Sequence, residues 1–216
     1  MKIRMYVELK DIKKTIHKSV ILEDINLRFE GGKVYGFKGK NGCGKTMLMR
    51  VICGLIRPDE GIVDINGDIL WKDISFPKSV GTLIENPAFL GGYTGLKNLE
   101  ILAGIKGETD IETIREALEK VGLNPDDKRK YRKYSLGMKQ RLGIACAFME
   151  HPDLVILDEP INALDEQGVV LVRRILDELK NEGKIIIIAC HDADEMNLLA
   201  DEIIYLESGR IKKVKD

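Results

Sequence analysis

Gly39-Lys40-Asn41-Gly42-Cys43-Gly44-Lys45-Thr46 has the spacing G-x-x-x-x-G-K-S/T of a phosphate-binding loop. Gly39, Gly42 and Gly44 remove the Cβ where a backbone must close around an anion or take a positive φ. Successive N–H groups, and the N-terminus of the helix that follows, then point at phosphate oxygens. Lys45 adds a mobile charge for β- and γ-phosphates, and the Thr46 hydroxyl can ligate magnesium. Lys40, Asn41 and Cys43 complete the loop and are candidate nucleotide contacts with it. The context agrees: Val34–Phe37 reads as a short buried strand leading in, and Met47–Cys53 as a helix leading out.

Working outward, the 216 residues suffice for a substantial core, in one domain or one domain with a subdomain. Hydrophobic residues make up 44% and charged residues 32%, as in an ordinary globular protein. A formal net charge of -1 gives no support for bulk binding to nucleic acid, and no nucleic-acid partner is expected. No apolar run approaches the roughly 18 residues that cross a bilayer. Met1-Lys2-Ile3-Arg4 enters no apolar signal segment, so a cytoplasmic location is expected. Cys43, Cys53, Cys146 and Cys190 lack zinc or redox spacing and read as buried free thiols.

Before the loop the chain is β-like. Tyr6–Leu9 and Ile25–Phe29 alternate, with Gly31-Gly32 as a turn. After it, Gly61–Ile65 and Asp68–Leu70 flank Asn66-Gly67, a short hairpin signal. From about Gly92 to Glu150 the pattern turns helical. Thr109-Asp110-Ile111-Glu112 reads as a capping box, opening a helix with Ile111, Ile114, Leu118 and Val121 on one face. Ser135 caps the next helix, which carries Leu142, Cys146 and Met149 inward. The last third alternates again: strand Leu154–Leu157, helix Glu166–Asn181, strand Ile185–Cys190, a short helix near Met196–Ala200 and strand Ile203–Leu206. Such alternation implies a mostly parallel sheet covered on both faces.

Leu154-Val155-Ile156-Leu157-Asp158-Glu159 is an apolar strand ending in two carboxylates. In parallel sheets, ligands bind at the carboxyl ends of strands. Asp158 there can hold magnesium, and Glu159 can orient and deprotonate an attacking water. His191 ends another apolar strand; it is either a structural histidine or a bridge between γ-phosphate, water and base.

Together these residues resemble the nucleotide-binding subunit of an ATP-binding cassette (ABC) transporter, over nearly the whole chain. Tyr134-Ser135-Leu136-Gly137-Met138-Lys139-Gln140-Arg141 aligns with the signature L-S-G-G-Q-x-Q-R, and Asn162-Ala163-Leu164-Asp165 with the D-loop S-A-L-D. His191 falls at the switch histidine. The resemblance implies one ABC ATPase domain over 1–216. Its fold is α/β, a P-loop NTPase core with a mostly parallel sheet, an N-terminal antiparallel β part and an inserted helical subdomain at about 92–150. It also implies ATP and Mg2+ as ligands, with metal ligands Thr46, Asp158 and Glu85 and catalytic residues Glu159, His191 and Lys45. Each ATP is then expected between the phosphate loop of one protomer and Ser135, Leu136, Gly137 and Met138 of another.

The expected partners are an integral-membrane permease subunit and a second nucleotide-binding subunit, either a second copy or a paralogue. The protein is then peripheral on the inner face of the cell membrane. Glu85 stands where the family usually has Gln. The aromatic that normally stacks on adenine is replaced by Ile16, beside His17, and these two are the candidate adenine contacts. Tyr-Ser-x-Gly-Met-Lys-Gln-Arg resembles exporter ATPases for bacitracin, lantibiotics or sodium. Phe89 and Tyr93 are candidate permease contacts. A soluble ABC ATPase that remodels a macromolecule is the alternative.

Overall fold

The computed structural model describes residues 5–107, 109–190 and 193–215. Its described residues form two sheets. The first is antiparallel, in the order β2-β1-β4-β5, from β1 (Tyr6–Ile16), β2 (Ser19–Glu30), β4 (Glu60–Ile65) and β5 (Asp68–Ile69). Asn66 and Gly67 both take positive φ, 53° and 94°, between β4 and β5. That is the conformation a two-residue primed turn demands. The β1–β2 hairpin closes in the same way through His17 (φ 46°) and Lys18 (φ 67°), without glycine.

The second sheet runs β10-β9-β3-β8-β7-β6. Its strands are β3 (Lys33–Lys38), β6 (Val80–Leu83), β7 (Leu154–Asp158), β8 (Ile185–Ala189), β9 (Glu202–Glu207) and β10 (Arg210–Lys215). Pairing is parallel from β9 through β6, and β10 adds antiparallel to β9. Every residue of β7 and β8 is buried. Alternation along them splits the core in two. Leu154, Ile156, Ile185 and Ile187 face the antiparallel sheet and helix α1 (Lys45–Ile52), whereas Val155, Leu157, Ile186 and Ile188 face the remaining helices. A strand buried on both faces is apolar at every position, which is why these runs do not alternate.

Those helices are α2 (Gly95–Lys106), α3 (Ile111–Lys120), α4 (Leu136–Phe148), α5 (Glu166–Asn181) and α6 (Ala193–Leu199). Helix α5 matches the sequence expectation at both ends. Helix α3 begins one residue later than the capping box implied: Asp110, not Thr109, is the N-cap, its carboxylate accepting from the Thr113 N–H at 2.8 Å. The shift puts Ile111 at the first helical position, where it is exposed rather than inward, and leaves Ile114 and Leu118 on the packed face with Val121 just beyond the helix end. Helix α4 lies directly against β6: a Cβ on Gly81 would collide with the Ala147 carbonyl oxygen. This close seat holds the C-terminal end of α4 against the sheet.

The four cysteines are free thiols. Cys43, Cys53 and Cys190 are buried; Cys146 is only partly so, yet burial pushes its thiol up to about 11. No helix among the described residues is long and apolar enough to cross a membrane.

Candidate functional site

Strand β3 delivers the chain to Gly39, and α1 begins at Lys45. Between them Gly42 and Gly44 take φ of 77° and 110°, left-handed values that an L side chain resists. Gly44 is the N-cap of α1 and offers no side-chain cap. The first N–H groups of the helix are therefore left for an external acceptor, as an anion-binding terminus requires. At Gly39 a Cβ would press on the Leu206 carbonyl and on Cys43 Sγ, so the loop can pass only without one.

Lys45 is only 7% exposed. Its Nζ donates to the Gly39 carbonyl at 2.8 Å and to the Lys40 carbonyl at 3.4 Å. The ammonium is thus held over its own loop. Thr46 Oγ1 donates to Asp158 Oδ2 at 2.7 Å, joining the first turn of α1 to the carboxyl end of β7. Both are hard oxygen donors, and the pair fits the few protein ligands that magnesium takes beside phosphate oxygens. Next along the chain, Glu159 has φ 52° and its N–H donates to the Ala189 carbonyl of β8 at 2.9 Å. Lys45, Thr46, Asp158 and Glu159 border one open cleft of ≈ 410 Å³, with Asn41, Gly42 and Gly44 on its loop side. Ile21 also lines it, a residue that sequence reasoning did not single out.

A second cleft, ≈ 490 Å³, gathers Ser135, Leu136, Gly137 and Met138 with Ala163, Leu164 and Asp165. Ser135 is the N-cap of α4, its hydroxyl accepting from the Met138 N–H at 3.2 Å. A Cβ on Gly137 would come to 3.0 Å from the Ala163 carbonyl, so the first turn of α4 and the Ala163 loop pass close together at the glycine. Asp165 caps α5 through the Gly168 N–H (2.9 Å) and pairs with Arg141 at 3.0 Å. Leu136, where the resemblance has glycine, is 66% exposed at this mouth. The two clefts share no lining residue.

Other expected site residues lie elsewhere. Ile16 ends β1 and His17 is exposed in the hairpin turn; neither lines the cleft of Lys45. Glu85 also stands outside that lining: its carboxylate is ion-paired with Arg50 of α1 and is well exposed. The Glu85 charge thus has a counter-ion in Arg50, on the helix that follows the phosphate loop. His191 lies outside the described residues. Phe89 packs edge-on against Tyr131, centroids 5.3 Å apart, while Tyr93 is exposed.

Because Arg50 and Glu85 are both accessible, their pair stabilises little. A double-mutant cycle with Arg50→Ala and Glu85→Ala is expected to give a coupling of at most about 1 kcal/mol. In urea unfolding that coupling should vanish at about 0.5 M salt.

Residues 22–162 match the family described as ABC transporter. The chain belongs to that family. An uncharacterized ABC transporter ATP-binding protein of Bacillus subtilis (strain 168), YybJ, is 45% identical over 206 residues, covering 95% of this chain and 94% of the relative. The bacitracin transport ATP-binding protein BcrA of Enterococcus faecalis is 40% identical over 207 residues, 95% of this chain and 67% of its own. The lantibiotic transport ATP-binding protein SrtF of Streptococcus pyogenes is 37% identical over 205 residues, 95% and 88% of the two chains. Among solved structures, an ATP-binding subunit of an ABC transporter superposes with a TM-score of 0.88 at 27% identity, covering 97% of this chain and 89% of that one. A dimeric ATP-binding cassette, MJ0796, bound to ADP and Pi, shares the fold at TM-score 0.87 and 23% identity, with 97% and 98% covered. This ABC transporter ATPase therefore has the α/β fold its phosphate loop announced, and it is an ATP hydrolase.

Proposed function

We propose that two protomers of this ATPase close face to face on two ATP molecules, and that a separate membrane permease converts the closing into transport. The observation that carries this reading is the separation of the two clefts. The phosphate loop and both carboxylates occupy one, the signature and D-loop the other, with no residue in common. A single chain has two half-sites; a second copy or a paralogue would complete both.

In the first half-site, Gly42, Gly44 and the N-terminus of α1 bind the phosphates through backbone N–H groups. Lys45 holds charge on the β- and γ-phosphates, and Thr46 and Asp158 are the residues that would hold magnesium. When bound, the ion neutralises phosphate charge. Glu159 takes a proton from the attacking water, whose oxygen bonds to the γ-phosphorus as the bond to the β-phosphate oxygen breaks. From the partner, Ser135 and the α4 N-terminus would face the γ-phosphate. Asn162, Ala163, Leu164 and Asp165 would line the seam. His191 is kept as the expected contact between γ-phosphate and base. Once Pi leaves, like charge and lost contacts part the protomers.

Transport through a permease at the inner face of the membrane is supported by relatives whose names carry transport. Export is the direction we propose, from the motif Tyr134–Arg141. The remodelling alternative draws no support from these relatives.

Sedimentation of Glu159→Gln tests the dimer: saturating Mg-ATP is expected to convert monomers to dimers, and Ser135→Arg on the same background to prevent it. Only monomers at saturation, or dimers indifferent to Ser135, would sink the sandwich.

A further inference from the structure

Gln140, near the end of the signature segment, is buried on α4 and 8% exposed. Its side-chain amide donates to the Glu159 carbonyl at 2.8 Å and to the Pro160 carbonyl at 3.2 Å. Glu159 has the left-handed φ of 52°, which a non-glycine residue keeps only when its surroundings fix it. Here they do so from both sides. The Glu159 N–H is held by the Ala189 carbonyl of β8, and its carbonyl by Gln140 and by the Asn162 N–H at 3.2 Å. The clamp rotates the chain at the end of β7, and the direction of the Glu159 side chain follows from that rotation.

The same half of α4 is tied to the same segment twice more. Gly137 passes close to the Ala163 carbonyl, which a Cβ there would meet at 3.0 Å, and Arg141 pairs with Asp165. Of the three ties, only Gln140 reaches the residue that carries the base. The α4 N-terminus serves one cleft and Glu159 the other, so the amide is a physical link between two half-sites of one chain.

We propose that Gln140 is a positioning residue: it holds Glu159 in its left-handed conformation, and through it the signature helix of one pocket sets the hydrolytic carboxylate of the other. The inference rests on the reading of Glu159 as the base. Loss of the amide donor leaves the phosphate loop, Thr46 and Asp158 untouched, so nucleotide binding should persist while the chemical step slows.

The test is steady-state hydrolysis by Gln140→Met, which keeps the side-chain volume and removes the donor. A mis-set general base should lower kcat by about 10- to 100-fold, with KM for ATP changed by less than about 2-fold. Placed on Glu159→Gln, the same change should leave the residual turnover within about 2-fold, because there is no base left to set. Gln140→Glu is the second variant. It keeps the length but presents an acceptor to two carbonyls, and its buried carboxyl, pushed up, regains a donor only when protonated. Its kcat relative to the parent protein should therefore rise as pH falls from about 8 to 6. Parent-like kcat in both variants, while Glu159→Gln alone is slow, overturns the role of Gln140 and spares that of Glu159. An equal further loss on the Glu159→Gln background also overturns it, since the residue then acts through the fold at large. Full turnover by Glu159→Gln itself overturns the underlying reading and this one with it.

Discussion

Glu159→Gln is expected to lower ATP turnover by about 10²- to 10⁴-fold, the range general-base catalysis contributes. Affinity for Mg-ATP should stay within about 3-fold, because uniform binding is untouched by losing a proton acceptor. The amide has the shape of the carboxylate but cannot take the proton of water. The backbone at this position is held by Ala189 on β8 and by Gln140 on α4, through main-chain atoms that the substitution does not alter. The substitution thus removes one proton acceptor and leaves the corner between β7 and the D-loop in place. Phosphate release under saturating ATP, beside calorimetric titration of nucleotide, separates the two quantities. Turnover equal to that of the unaltered protein would remove Glu159 from the mechanism, and a base elsewhere would have to be sought.

Why this carboxylate was legible from the sequence, and some of its neighbours were not, has a physical reason. Leu154–Asp158 and Ile185–Ala189 are buried on both faces, and burial forces an unbroken apolar run whose end marks the ligand edge of the sheet. The phosphate loop is legible for a similar reason: positive φ at Gly42 and Gly44, and the crowding at Gly39, each demand glycine at a fixed place. Strand β10 has neither constraint. Among the described residues Arg210–Lys215 pairs only with β9, is mostly exposed, and its lysines guard an edge rather than fill a core, so it has no apolar pattern.

The partners of polar residues were hidden for another reason. The Arg50–Glu85 pair spans 35 positions and the bond from Gln140 to Glu159 spans 19, and no local spacing announces either. The hairpin turn at His17-Lys18 takes two left-handed residues with no glycine to advertise it, so β1 runs on through Ile16 beyond the alternation seen at Tyr6–Leu9. Ile21, not Ile16, then lines the cleft, because β2 returns alongside the loop and its Ile21 carbonyl lies near Gly44.

Lys45→Ala is expected to weaken ATP binding by roughly 10- to 150-fold, which is the loss of charge-assisted hydrogen bonds of about 1.5–3 kcal/mol. In the described protein the ammonium is held by the Gly39 and Lys40 carbonyls of its own loop. These bonds satisfy a buried charge at the border of the cleft. Removing the side chain frees two carbonyls that border open solvent, so the cost to the fold is small. For a domain of this size, a loss of about 1 kcal/mol moves Tm by only about 2–4 °C. The decisive measurement is therefore the rise of Tm with added Mg-ATP, which grows as RT ln(1 + [L]/Kd). The unaltered protein should gain steadily with nucleotide concentration, and Lys45→Ala should need roughly 10- to 150-fold more nucleotide for the same gain. Superimposable curves would mean that the lysine serves the loop's own carbonyls and not the phosphates, and the charge for phosphate binding would then fall to the backbone N–H groups alone.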